Sequence, residues 1–406
     1  MAVHFAEAGE TARAAAQWHL AAADADRRSA YVEALAYFRR ALALIGTMPQ
    51  DAVRDKIEFN LVLNMIGPLI AVQGLTATEV GREIERVTAL SQKLGTQSSL
   101  IPALALKTVM LATAGNMPAS YALALQISAL AEGGSETDRL IAHRYLATTQ
   151  VFWGKFQQAI EEAQRFLALF DPTRHAQQLV HIGPANHAVM MMVGLAECYT
   201  ILAQAQEALH WRAQALLTAR SDGRAHTLAQ ALAFAACFPS ALVGDTDALA
   251  GHASELKVVT ELHGLTQWKG HAALFCGISL MQQGRIEPGL ALARQGIHLL
   301  VTGHAYSKVW YIVYAQACEE AGAFDDAWHG LELGAPNIAF GHTWLDAEYL
   351  RIRGRLNLTG GDRDAAMQDF ESALALASEQ GATLFIERAR RDQERLALAA
   401  VGKPDA

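Results

Sequence analysis

Apolar residues recur along this chain at helical spacing, and the runs are cut at regular intervals by a small residue followed by a polar stretch. The cut falls at Gly115 (AGNMPAS), Gly154 (WGKFQQA), Ala203 (LAQAQEA), Gly244 (VGDTDAL), Gly284 (QGRIEPG), Gly322 (AGAFDDA) and Gly361 (GGDRDAA). Successive cuts are 39, 49, 41, 40, 38 and 39 residues apart. A period of this size over most of a chain predicts stacked helical hairpins, each packing on its neighbours. N-terminal to the first cut, Ser29 to Leu44 reads as a second helix. Asp51 to Val72 and Thr78 to Leu94 read as a further hairpin.

The flanks share the register. Seven residues before each cut stand Thr108, Ala147, Ala196, Cys237, Gly277, Ala315 and Gly354. Five residues after it stand Ser120, Ala159, Ala208, Leu249, Gly289, Ala327 and Ala366. Apart from Leu249 these are small. Two antiparallel helices joined by a short turn approach closely only where both present small side chains. Nine residues after the cut come Ala124, Ala163, Arg212, Ala253, Ala293, Leu331 and Phe370, mostly apolar and on the same seam. This arrangement resembles the tetratricopeptide repeat (TPR), with a longer period. The expectation is an all-α, TPR-like α-solenoid of about ten hairpins in a right-handed superhelix. It forms one continuous domain over residues 1–400, with a capping helix at 382–400 and a tail at 401–406.

Composition agrees. Of the 406 residues, 52 % are hydrophobic and 18 % charged, enough apolar material for a long core, and proline is scarce, with 10 residues. The formal net charge of −8 argues against a nucleic-acid partner. Arg388, Arg390, Arg391 and Arg395 are interleaved with Glu387, Asp392 and Glu394 and read as a solvated helix face. The N-terminus lacks the features of a secretory signal, and no apolar run is read as approaching the ~18 residues of a membrane span. The expected location is the cytoplasm.

Two segments carry a second resemblance. His4 to Ile45 (HFAEAGETARAAAQWHLAAADADRRSAYVEALAYFRRALALI) is similar to the stretch that follows the ATPase module of certain bacterial signalling proteins. Thr343 to Asp392 is similar to the last repeats of the same proteins. These are class III adenylate cyclase–ATPase–repeat proteins and LuxR-type, ATP-dependent transcription regulators of the maltose-activator kind. The resemblance implies a sensor or regulatory arm. No GxxxxGK[ST] phosphate loop occurs, so no ATPase is assigned.

The chain offers no catalytic constellation. His175, His181 and His187 are six apart, which does not align ligands on one helix face. Cys198, Cys237, Cys276 and Cys318 fall four to eight residues before a cut and read as small core groups. Glu161-Glu162 and Glu319-Glu320 are adjacent and diverge around a helix, while Asp325-Asp326 suits a helix start. No catalytic, cofactor or metal residues are assigned, and the chain is read as not an enzyme.

The remaining candidate is the concave groove lined by the first helices. Counting back from each cut, its face carries Arg144 with Thr148, Glu197 with Thr200, His271 with Met281, Gln316 with Glu319, and Glu348 with Arg351 and Arg355. The last two repeats are the most charged. They read either as a recognition patch for a charged peptide or small anion, or as a salt-bridge ladder holding the stack. Trp310, Tyr311, Tyr314, Trp344 and Tyr349 read mostly as core, with one or two as exposed anchors. The function expected is a non-catalytic scaffold for a protein or peptide partner in the groove, or regulatory sensing in bacterial signalling. The alternatives are a small-molecule sensor arm and the remnant repeat arm of an ATP-binding cyclase-type protein.

Overall fold

A computed structural model describes residues 4–5, 9–74, 77–179, 185–302, 308–336 and 343–401. Among them there is no strand. Of twenty helices among the described residues, eighteen form nine antiparallel hairpins: α1 (Thr11–Arg27) with α2 (Tyr31–Ile45), α3 (Ala52–Gln73) with α4 (Thr78–Leu94), α5 (Gln97–Thr113) with α6 (Met117–Ala131), and α7 (Glu136–Phe152) with α8 (Phe156–Leu169). After the short α9 (Pro172–Leu179) come α10 (His187–Ile201) with α11 (Ala205–Asp222), α12 (Ala225–Val243) with α13 (Thr246–Leu262), and α14 (Thr266–Gln282) with α15 (Ile286–Thr302). The series closes with α16 (Lys308–Glu320) and α17 (Phe324–Gly334), α18 (Asp346–Thr359) and α19 (Arg363–Gln380), and the terminal helix α20 (Thr383–Val401). The longest interval between cuts, 49 residues, is the one that accommodates α9. Of the expected tail, residues 402–406 lie outside the described residues.

The hairpin turn has one physical signature. All seven predicted cuts have positive φ, from 58° at Ala203 to 87° at Gly361. Glycine enters that region freely, whereas alanine there is strained. Ser29, at φ 58°, makes an eighth such turn between α1 and α2, and the columns extend to it: Ala22 and Ala34 are fully buried. Side-chain caps start the helices where one is available. Asp51, Asn116, Asp245 and Asp362 each accept from a backbone N–H three residues on, and Ser135 with Asp138 forms a capping box.

The small columns meet as expected. Ser120 Oγ donates to the Thr108 carbonyl at 2.9 Å, joining the column before the turn to the column after it. In α14 and α15 the contact is backbone on backbone. A Cβ added at Gly277 would lie 2.5 Å from Ala293 N and 2.7 Å from the Gly289 carbonyl.

Helix α12 departs from the sequence reading. By length and composition it is apolar enough to cross a membrane, contrary to the expectation that no run approaches that length. His226, Thr227, Gln230 and Ser240 break the run to the eye, but the mean hydropathy still reaches 1.4. Of that window, 78 % is buried in the stack, as befits a core helix. Its middle, Leu232–Cys237, widens to π geometry just ahead of Pro239, and the Phe238 N–H reaches the Ala233 carbonyl.

The solenoid coils tightly enough to touch itself. The Ala225 N–H donates to Ser29 Oγ at 3.2 Å across 196 residues, Tyr31 lies edge-on to His226 with ring centroids 6.4 Å apart, and α3 packs on α14. Farther along, the Trp344 N–H donates to the Phe152 carbonyl at 3.1 Å, and Trp344 packs against Phe152 and Phe238. The concave side is thereby narrowed. The buried apolar residues divide into a large cluster running from α5 to α20 and joined by Tyr31 of α2 and Ala71 of α3, an N-terminal cluster from α1 to α5 and a small C-terminal one.

Two substitutions test the turn-and-seam account by urea unfolding. Gly277→Val is expected to cost roughly 1–3 kcal/mol or more through forced separation of α14 and α15. Ala203→Gly is expected to add about 1 kcal/mol by relieving the left-handed alanine.

Candidate functional site

The first helices of successive hairpins surround a cavity of about 180 Å³ at the centre of the coil. Its apolar wall includes Ile70 of α3, Val109 of α5, Met190 and Met191 of α10, Phe234 of α12 and Trp268 of α14. Three predicted groove residues, Arg144, Glu197 and His271, line it together, with Thr148 beside Arg144.

Each of the three is buried without a charge partner among the described residues. Arg144 is 9 % exposed. Its Nε donates to His187 Nδ1 at 3.0 Å, and its Nη1 donates to Thr148 Oγ1. His187 Nε2 in turn donates to the Leu179 carbonyl at 2.9 Å, so this imidazole serves Arg144 as a lone-pair acceptor and brings no negative charge. Burial lowers the Arg144 pKa, but a guanidinium stays cationic in a protein. Residues 180–184, which join α9 to α10, contain no Asp or Glu.

Glu197 is 5 % exposed and its Oε1 has no hydrogen-bond partner. Burial pushes its pKa well above the ordinary glutamate value and favours the neutral acid. His271 is 2 % exposed, and its ring has no side-chain hydrogen-bond partner among the described residues, with the Gln267 backbone lying close to it. Burial pushes its pKa down to about 3, keeping the ring neutral. The ring sits between Trp268 and Trp310, with centroids 4.9 Å from each. Trp268 Nε1 donates to His226 Nδ1 at 3.1 Å.

The other predicted groove residues form a second, different centre. Glu348, 1 % exposed, accepts from Arg351 Nη2 and from Arg388 Nη1, both at 2.9 Å. Arg351 Nη1 donates to Asp392 at 2.9 Å, and Arg355 pairs with Glu319 at 2.8 Å. Gln316 donates to Glu320 at 2.9 Å. Burial raises the Glu348 pKa, but the Arg351 and Arg388 guanidinia outweigh it and hold the carboxyl below its usual range. Burial raises that of Glu319, which Arg355 only partly offsets. The geometry is that of an inter-repeat ladder joining α16, α18 and α20. Arg388 and Asp392 belong to it, whereas the sequence reading put them on a solvated face. Arg390, Arg391 and Arg395 are exposed.

The remaining candidates settle as packing. His175 is buried, and its Nδ1 accepts from the Asp171 N–H at 2.9 Å; His181 lies outside the described residues. All four cysteines are free and sit in first helices, and burial raises their pKa values. Trp310, Tyr314, Trp344 and Tyr349 are buried, Tyr311 half-buried, and among the described residues the exposed aromatics are Phe324 and Trp328 of α17. Among the described residues no group of three His, Cys, Asp or Glu is arranged to hold a metal ion.

The chain has the fold of a TPR-like α-solenoid. It is similar over 94 % of its length to the Rap protein solved in complex with Competence and Sporulation Factor, covering 98 % of that chain at 14 % identity and TM-score 0.57. Aspartyl phosphate phosphatase F from Bacillus subtilis gives 11 % identity and TM-score 0.49, over 90 % of this chain and 95 % of that one. No protein-family model matches the chain. In sequence it is 23 % identical over 409 residues to the uncharacterized protein R02095 of Rhizobium meliloti (strain 1021), with 98 % of this chain spanning 39 % of that protein.

Two measurements follow. Arg351→Leu removes three hydrogen bonds that compensate the buried carboxylates of Glu348 and Asp392 and is expected to cost roughly 3–5 kcal/mol in urea unfolding. Glu197→Gln is expected to raise stability at pH 7, because the wild-type fold must hold a proton that the unfolded chain has released. The gain fades as pH falls below the ordinary glutamate value of 4.5, where both states are protonated.

Proposed function

We propose that the chain is a non-catalytic regulatory arm of bacterial signal transduction, in which a ligand held in the central cavity sets the pitch of the superhelix. The observation that carries this reading is the convergence of three buried polar side chains from α7, α10 and α14 on one cavity walled by apolar groups: Arg144 without a counter-charge among the described residues, and Glu197 and His271 with unpartnered polar atoms. Leaving such groups unpaired is costly, and a ligand that pairs them recovers that cost. Because the contacts come from separate repeats, a ligand joining them favours one spacing of the stack over others, which shifts the population of coil shapes.

The sequence resemblance supplies the context: in cyclase–ATPase and LuxR-type regulators a repeat arm lies beside a nucleotide switch. The Rap protein, similar in fold, was solved in complex with a factor, a precedent at the level of fold alone. We place the chain in the cytoplasm, with neither nucleic acid nor membrane as partner.

A second reading, a docking scaffold for a protein, is favoured by the outer helices. Leu209 and Leu217 of α11 and Val258 and Leu262 of α13 are exposed on neighbouring second helices, which Arg220 and Glu255 tie together. The test uses a cavity-filling variant. A Cβ at Gly194 meets only Val151 Cγ2, at 3.7 Å, so Gly194→Leu extends into the cavity. In a small-molecule screen read by thermal shift, hits are expected to stabilise the wild type and to leave Gly194→Leu unmoved. Hits that stabilise both equally, or none at all, would contradict the sensing reading. A purified protein partner bound equally by both forms would favour the scaffold.

A further inference from the structure

We propose that the central cavity selects a small apolar carboxylate, with the anionic group on Arg144 and the hydrocarbon body against Met190, Phe234 and Trp268. This rests on the reading of the cavity as a ligand site and specifies the ligand.

Charge decides the first part. The cavity wall holds one guanidinium and no described carboxylate paired with it. Glu197, the acid on the same wall, makes no ion pair with Arg144 or any other described cation, and burial favours its neutral form. The site therefore carries a net positive charge in low-dielectric surroundings, where an unpaired ion is costly and a matching anion is strongly held. A cationic ligand would add to that charge.

Geometry decides the second part. Nε and Nη1 of Arg144 are committed to His187 and Thr148, which fix the plane of the guanidinium. Nη2 has no hydrogen bond to a described residue and remains to meet an oxyanion. Planar guanidinium and planar carboxylate suit one another, and one guanidinium is too little for a polyphosphate. The volume of about 180 Å³ admits a small molecule only. The walls are aliphatic, thioether and aromatic, which suits a hydrocarbon body over a sugar. Glu197 Oε1 and Gln267 Oε1, both buried and unpaired, leave room for one further polar group on the ligand, such as a hydroxyl or amide.

The experiment compares three probes of equal length, hexanoate, hexanol and hexylamine, by calorimetric titration of the full chain. Expected is binding of hexanoate, binding of hexanol weaker by about tenfold to a hundredfold, the worth of a hydrogen bond to a charged group, and no binding of hexylamine. Arg144→Gln should bring hexanoate down to the level of hexanol and leave hexanol unchanged. Arg144→Lys, which keeps the charge, should retain a reduced preference and serves if the Gln variant does not fold. Equal binding of hexanoate and hexanol by the wild type, or a preference that survives Arg144→Gln, would overturn the carboxylate assignment while leaving a ligand cavity in place. No binding of any probe would also overturn it. In that case hits blocked by Gly194→Leu would keep the sensing reading, and their absence would remove both.

Discussion

The backbones of the two helices in each hairpin come together beside a left-handed turn, and every larger feature of the molecule depends on that approach. The turn needs a residue that tolerates positive φ, which is why glycine fills it at six of the seven internal cuts and why Ala203 and Ser29 are its strained exceptions. The approach needs small side chains on both sides, met at its extreme by Gly277 against Gly289. With the pair fixed, the remaining apolar faces of each hairpin are covered only by the next hairpin, so the chain must stack.

The stack coils tightly enough for its first hairpins to reach α12 and α14. An open groove becomes a narrow, partly closed interior, and side chains that a looser coil would leave in water are buried in it. The two polar centres answer this in different ways. Around Glu348, four helix-borne charges pair off and the burial is compensated within the chain. Around Arg144, Glu197 and His271 no described residue supplies a counter-charge, and Glu197 Oε1 is left without a hydrogen bond. A fold that carries both shows how it can satisfy buried charge, which gives weight to the place where it does not.

Much of the architecture was legible in the sequence, because turn and seam are local and repeat. The boundaries of α3, α4 and α20 fall within a residue or two of those read from the pattern, and the small columns meet where predicted. The first hairpin turn was missed because Ser29 carries no glycine signal, though Ala22 and Ala34 hold the register. Counting from the turns picked out Arg144, Glu197 and His271 as one face, but could not tell an open groove from a partly closed cavity. That distinction rests on contacts such as Ser29 with Ala225, which no local pattern encodes. The ladder at Glu348 was only half visible for the same reason: Arg388 and Asp392 look solvated along α20 and become buried once α20 packs on α18 and α19. Met190, Phe234 and Trp268 gave no signal beyond apolar core, since a wall facing a cavity and a wall facing another side chain have the same periodicity.

The decisive measurement is the position of a bromine atom. Crystals of the full chain soaked in 6-bromohexanoate are expected to show an anomalous peak inside the coil, against Phe234 and Trp268, with the carboxylate on Arg144. A ligand found only on the outer surface, or no peak at a concentration that saturates binding in solution, would contradict the assignment of the cavity as the site.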